Sequence, residues 1–163
     1  VKFIADSNVG KLARWLRAMG YDTYFERSID DGKLVEIART DDRVILSRDS
    51  QMMKRKIIRE GKVRAILIED DTPWSQISQV IGRLNLDTSA AFSRCLECNQ
   101  TLVPRSKEEV RCSVPPYVFL TQDKYMECPS CHRLYWRGTH WQRMNTRLAA
   151  VCSGLKPSGK IVK

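Results

Sequence analysis

The first half of the chain alternates short apolar runs with segments of helical period. VKFIAD (1–6) is a brief apolar run closing on an acid and reads as a strand. Over residues 8–19, Val9, Leu12, Ala13, Leu16 and Met19 recur at the spacing of one buried helix face, and Gly20 follows as a stop signal. Tyr21–Phe25 reads as a second strand. Asp30 and Asp31 stand where a helix cap belongs, ahead of Leu34, Ile37 and Ala38. VILS (44–47) is a third strand, closing at Asp49, and Ser50–Arg59 reads as one helix ended by Gly61. RAILI (64–68) is a fourth strand. Pro73 opens a last helix through Ile77, Val80, Ile81 and Leu84. Four strand–helix units predict an α/β fold with a mostly parallel sheet covered on both faces. In such a sheet ligands bind beyond the carboxyl ends of the strands.

The pattern changes near residue 88. DTSAAFSR is small and polar, and residues 92–140 contain prolines and aromatics but no long amphipathic stretch. Two Cys-x2-Cys pairs lie here, Cys95/Cys98 and Cys128/Cys131, with 29 residues between them. Four thiolates in paired knuckles form a closed tetrahedral zinc site, which is structural rather than catalytic. His132 adjoins Cys131, but the set of four is complete without it. Cys112 is a spare thiol expected in the ribbon core, and Cys152 an inert one. The expected organisation is an α/β domain over 1–88, a small β-rich zinc ribbon with a closing helix over 92–150, and a flexible basic tail over 153–163.

Composition narrows the function classes. With 42% hydrophobic and 29% charged residues in 163, and no apolar run near the ~20 residues of a membrane span, the chain reads as a globular protein without a membrane partner. It begins VKFIAD, without Met or a basic-then-apolar leader, which suggests a processed chain or a segment of something longer. Paired thiols at metal spacing point to an intracellular, reducing compartment, cytoplasm or nucleus alike. The formal charge of +9 is uneven: residues 1–91 hold 16 basic and 14 acidic side chains, residues 92–163 hold 12 and 5. The second part is therefore the stronger candidate for contact with a polyanion.

Asp6 and Asp49 follow predicted strands and Asp31 starts a helix, so three carboxylates from distant segments can meet at one rim. Mg²⁺ and Mn²⁺ take oxygen ligands, and such a set suits metal-dependent phosphodiester hydrolysis. Ser47, two residues before Asp49, would orient water. Asn8 reads as a backbone cap, Asp30 as a cap or supporting acid. Lys11, Arg14 and Arg17, spaced by three, could track a phosphate backbone, with Arg17 also read as ordinary solvated helix face. Lys54, Arg55, Lys56 and Arg59 read as plain helix surface. In CHRLYWRGTHWQRM, Tyr135, Trp136, His140 and Trp141 alternate with Arg133, Arg137 and Arg143, a composition suited to single-stranded nucleic acid. At least one Trp is expected to pack the ribbon onto the first domain.

The stretches FIADSNVGKLARWLRAMGYDT, DDGKLVEIA, VILSRD, FSRCLECNQTL, PPYVF and CPSCHRLYWRGTHWQRM, spanning residues 3–144, resemble the C-terminal RNase-like domain of the Mut-seven exonuclease proteins. The resemblance implies a PIN-like α/β sandwich joined to a zinc ribbon, with metal-dependent ribonuclease chemistry. On it, Asp6 matches the acid after the first strand, Asp31 the acid seven residues before the helix alanine Ala38, and Asp49 the acid of an S/T-x-D motif. The further helix acid typical of PIN nucleases has no counterpart, since Glu36 lies after Asp31 rather than before it. The sequence thus favours a ribonuclease acting on single-stranded RNA, with structural Zn²⁺ on Cys95, Cys98, Cys128 and Cys131 and catalytic Mg²⁺ or Mn²⁺ on Asp6, Asp31 and Asp49. Lys11, Arg14, Arg133, Arg137, Arg143 and Trp136 would contact RNA. The alternative is a non-catalytic RNA- or protein-binding module of a 3′–5′ exoribonuclease, docked to an exonuclease domain or a protein partner.

Overall fold

The computed structural model describes residues 1–154; most of the expected basic tail lies outside them. A parallel sheet of β1 (Lys2–Ala5), β2 (Thr23–Phe25), β3 (Arg43–Ser47) and β4 (Ala65–Leu67) has the order β2-β1-β3-β4. Its connections are α1 (Gly10–Ala18), α2 (Asp31–Thr40), the short α3 (Ser50–Met53) and α4 (Lys56–Arg59), and α5 (Pro73–Leu84) follows β4. The expected single helix over Ser50–Arg59 is in fact two. Arg55 adopts an extended ψ of 134°, which ends one helix and opens the next.

Strand side chains alternate between two buried layers, as expected of a parallel sheet covered on both sides. Phe3, Ala5, Val44 and Leu46 face Leu12, Leu16, Ile77 and Val80 of α1 and α5. Ile4 and Ile45 face Leu34, Val35 and Ala38 of α2, with Met52 of α3. Each such fully buried aliphatic side chain contributes about 1.5–3 kcal/mol relative to exposure.

The second half holds an antiparallel sheet of β5 (Val103–Arg105), β6 (Tyr125–Glu127) and β7 (Leu134–Trp136), order β5-β6-β7. The insert between β5 and β6 carries α6 (Pro116–Thr121) and packs Val110 and Val114 on Tyr125, whose hydroxyl donates to the carbonyls of Val118 and Gln122 at 3.0 and 2.9 Å. The last helix, α7 (Thr139–Cys152), does not close the ribbon on itself. It sends Met144, Leu148 and Val151, with Leu96 of the first knuckle, into the layer formed by α1 and α5. Cys112 is exposed rather than buried in the ribbon core.

A polar weld joins the two sheets. Arg17 is only 6% exposed, so the expectation of a solvated or phosphate-tracking side chain fails there. Its guanidinium donates to the carbonyls of Thr23 on β2 and of Leu96 and Glu97 in the first knuckle, at 2.8–2.9 Å. Asn99, in the left-handed region at φ 63°, accepts from the Thr23 N–H (3.0 Å) and donates to Asp22 (2.8 Å). Asp22 also accepts from Arg43 at 2.6 Å. At Gly20 (φ 93°) a side chain would collide with the backbone of Ala90, so glycine lets the linker fold back against the end of α1.

Candidate functional site

Asp6 and Ser47 sit side by side because β1 and β3 pair in register, Ala5 opposite Leu46, and the Asp6 N–H continues the ladder to the Leu46 carbonyl at 2.9 Å. The strand order reverses between β1 and β3, with β2 on one side and β4 on the other. This is the switch point where open α/β sheets bind ligands at the strand carboxyl ends. Asp6 is 7% exposed and both its oxygens are engaged. Oδ1 accepts from the Ser7 N–H (2.6 Å) and hydroxyl (3.2 Å), Oδ2 from the Asn8 amide (3.0 Å) and the Ser47 hydroxyl (2.5 Å).

Ser47 also accepts from the Asp49 N–H at 3.0 Å, which ties the Asp6 carboxylate to the Asp49 backbone through one hydroxyl. Asp49 caps α3, with one oxygen accepting from Gln51 N–H at 2.8 Å. Asn8 caps a backbone group, as expected, by accepting from the Arg48 N–H (3.2 Å), and it additionally braces Asp6. Asp30, not Asp31, is the cap of α2, accepting from Lys33 N–H at 3.0 Å. Asp31 lies exposed in the first turn and is paired with Arg55 at 2.9 Å. The structure thus links the Asp6 carboxylate through Ser47 to the Asp49 backbone, whereas Asp31 is paired with Arg55 and is not gathered with them as the sequence led one to expect. Among the described residues, only the four cysteines gather three or more possible ligand atoms all within 4.8 Å of one another. Arg55 carries no periodicity or motif that distinguishes it from its basic neighbours; only its place at the α3–α4 corner reveals the contact.

The cysteine quartet meets the demands of zinc. Tetrahedral Zn–S bonds of about 2.3 Å require sulfurs about 3.8 Å apart, and Cys95 and Cys131 Sγ lie 3.7 Å apart. The Cys98 N–H reaches Cys95 Sγ at 3.3 Å and the Cys131 N–H reaches Cys128 Sγ at 3.5 Å, so each knuckle turns its backbone donors toward sulfur. Burial raises the Cys95 thiol, but hydrogen bonds from the Tyr135 hydroxyl and the Cys98 and Glu97 N–H groups outweigh it and bring the thiol down to about 7. That favours the thiolate a metal requires. The neighbouring sulfur of Cys131 and burial push the Cys98 thiol up to about 12, and burial raises Cys128, so the crowded sulfurs do not all ionise until a cation joins them; together the four can hold a metal ion such as zinc.

The basic candidates fall into two sets. Arg14 and Arg133 converge on Glu97, at 2.6 and 3.2 Å, and with Arg137 and Trp136 they line a groove of about 660 Å³ between α1, α6, β7 and α7. Trp136 has a packing role as well, against the Val110–Val114–Tyr125 cluster. Lys11 and Arg143 are exposed and do not line it. A second cleft of about 470 Å³, which shares Arg94 with the groove, lies around Arg17, Asp22 and Arg43. Its charges are spent on one another and on carbonyls, which suits the weld between the sheets.

Residues 1–148 match the family model described as the Mut7-C RNAse domain. The chain belongs to the Mut7-C RNAse domain family. No curated protein and no solved structure matches it. Membership in the Mut7-C RNAse domain family suggests a nuclease or other RNA-related function. Among the described residues, no helix is long and apolar enough to cross a membrane.

Proposed function

We propose that this Mut7-C RNAse domain is a metal-dependent ribonuclease acting on single-stranded RNA. The observation that carries the reading is the Asp6–Ser47–Asp49 chain of hydrogen bonds at the β1/β3 switch point. Asp6, Asp49 and, once released from Arg55, Asp31 would hold Mg²⁺ or Mn²⁺, which when bound supplies Lewis acidity toward a phosphodiester and neutralises charge on the leaving oxygen. Ser47 fixes the Asp6 carboxylate and the Asp49 backbone, and Asn8 holds Asp6 from the other side. Lys11 and Arg14 on α1, with Arg133, Arg137, Arg143 and Trp136 of the ribbon, grip the strand. The four-cysteine site holds Zn²⁺ and keeps the ribbon folded.

One observation favours a second reading, a non-catalytic RNA- or protein-binding module. Both Asp6 oxygens already have protein partners, and Asp31 is neutralised by Arg55. Cleavage of labelled single-stranded RNA with Mn²⁺ separates the two. On the enzyme reading wild type cleaves, Asp49→Asn does not, and Ser47→Ala, which removes only a supporting hydrogen bond, lowers the rate by about 10–100-fold. Mn²⁺ raises the melting temperature of wild type and not of Asp49→Asn. A wild type that shows neither cleavage nor a metal-induced shift leaves the binding module.

A further inference from the structure

The groove between α6, β7 and α7 is chemically one-sided. Arg14, Arg94, Arg133 and Arg137 line it and no carboxylate among the described residues does; Glu97, outside the lining, pairs with Arg14 and Arg133. One wall is an aromatic–cation cluster: the Phe92 and Trp141 rings lie 5.0 Å apart, tilted by 46°, and the Arg137 guanidinium lies 5.0 Å from the Trp141 centroid. The outer plane of such a guanidinium is a surface on which a nucleobase stacks. On α6, Tyr117 lines the groove yet is 74% exposed, an aromatic face that nothing in the protein covers among the described residues. Pro115 and Pro116 fix the start of that helix and so hold the ring at the lip. The volume, about 660 Å³, is that of a pocket for a small ligand, enough for a short unpaired stretch and too small for a duplex.

We propose that this groove is a base-stacking clamp for unpaired RNA, in which the Arg137 plane and Tyr117 take bases while Arg14 and Arg133, exchanging Glu97 for the ligand, take the flanking phosphates. This rests on the reading of the chain as an RNA-binding domain. It adds Tyr117 and the tilted Phe92–Trp141 pair to the contact surface. It also assigns Arg137 a stacking role beyond its charge. Arginine planes and aromatic rings in a groove without acids suit a strand that offers both phosphates and π-faces. An acidic aromatic peptide offers related chemistry, but membership in an RNase family favours the nucleic acid.

The clamp lies apart from the acidic switch point, so it is testable without cleavage. Binding of a labelled single strand of about 12 nucleotides, within the usual site sizes of single-strand binders, is measured to the full chain carrying Asp49→Asn. Tyr117→Ala and Arg137→Lys each weaken it about tenfold, the scale of one lost stacking contact. Arg137→Lys keeps the charge and therefore leaves the salt dependence unchanged. Leu120→Ala, on α6 but outside the groove and 77% exposed, leaves affinity unchanged and controls for helix integrity. The same sequence as a duplex binds at least tenfold more weakly than the single strand. Unaltered affinity in both groove variants, equal binding of duplex, or occupancy by an acidic tyrosine-containing peptide but not by RNA overturns the clamp. If the clamp holds while wild type fails to cleave RNA with Mn²⁺, the ribonuclease reading falls and the clamp stands. If cleavage occurs and the groove variants bind normally, only the clamp falls.

Discussion

Asp22 shows how one side chain holds two parts of the chain together. Burial raises its pKa, but hydrogen bonds from Arg43 and Asn99 outweigh that and hold the carboxyl below the ordinary range. A carboxylate depressed in the folded state stabilises it fully above the unfolded pKa of about 3.9, and the contribution disappears as pH falls through the lower, folded value. Wild type should therefore lose stability in urea titrations as pH drops below about 4. Asp22→Asn should be less stable at neutral pH and show a shallower loss over the same acid range. An equally steep loss in the variant would show that Asp22 does not set that limb. Single residues were legible from sequence where a local rule governs them. Asp30 is the helix cap, as its position before an apolar periodic run predicts. Arg17 was not legible, because its spacing from Lys11 and Arg14 describes its place on α1 and says nothing of the knuckle, far along the chain, that covers it.

At the level of elements, period and punctuation placed all four strands of the parallel sheet and the helices α1, α2, α5 and α7 to within about two residues. They missed the break between α3 and α4, where neither Gly nor Pro marks the turn, and the six-residue α6, which is too short to show a period. The ribbon was legible through its cysteines alone, since β5, β6 and β7 have three residues each. Such short strands cannot hold themselves together, so a metal held by the four cysteines would contribute much of the ribbon's folding energy. Elemental analysis should find one zinc per chain. Chelation, or Cys98→Ser, should lower the melting temperature of the whole chain rather than release a separate ribbon transition, because Leu96 is buried in the core shared by α1, α5 and α7. A metal-free protein with unchanged melting temperature would refute the zinc assignment. A separate low-temperature transition would refute the coupling.

For the molecule as a whole, the charge excess of residues 92–163 makes the second half the expected face for a polyanion, but does not reveal how much of that charge is already paired. Arg14 and Arg133 share Glu97, and Arg105 is matched by Glu127 at 2.6 Å. RNA affinity should fall with added salt at a log–log slope of about −0.7 per phosphate neutralised. Replacing Arg133, Arg137 and Arg143 together should weaken binding and flatten that slope. A triple variant with unchanged affinity and slope would remove the ribbon from RNA binding. The location of Asp6 and Asp49 beyond neighbouring strands followed from sequence because strand ends converge in any parallel sheet, whereas Asp31, on a helix, did not join them. The groove did not follow from sequence, because its walls come from α1, the insert and α7, whose mutual placement no local pattern encodes. The weld around Asn99 also sets a clock on synthesis. The outer edge of β2 is capped at Thr23 by a residue 76 positions later in the chain. At about 5–20 residues per second, that edge waits about 4–15 seconds for its partner to be made. Through that interval it remains a template for pairing with other chains, so slow translation or zinc shortage exposes the nascent chain to aggregation before any finished protein exists to be tested.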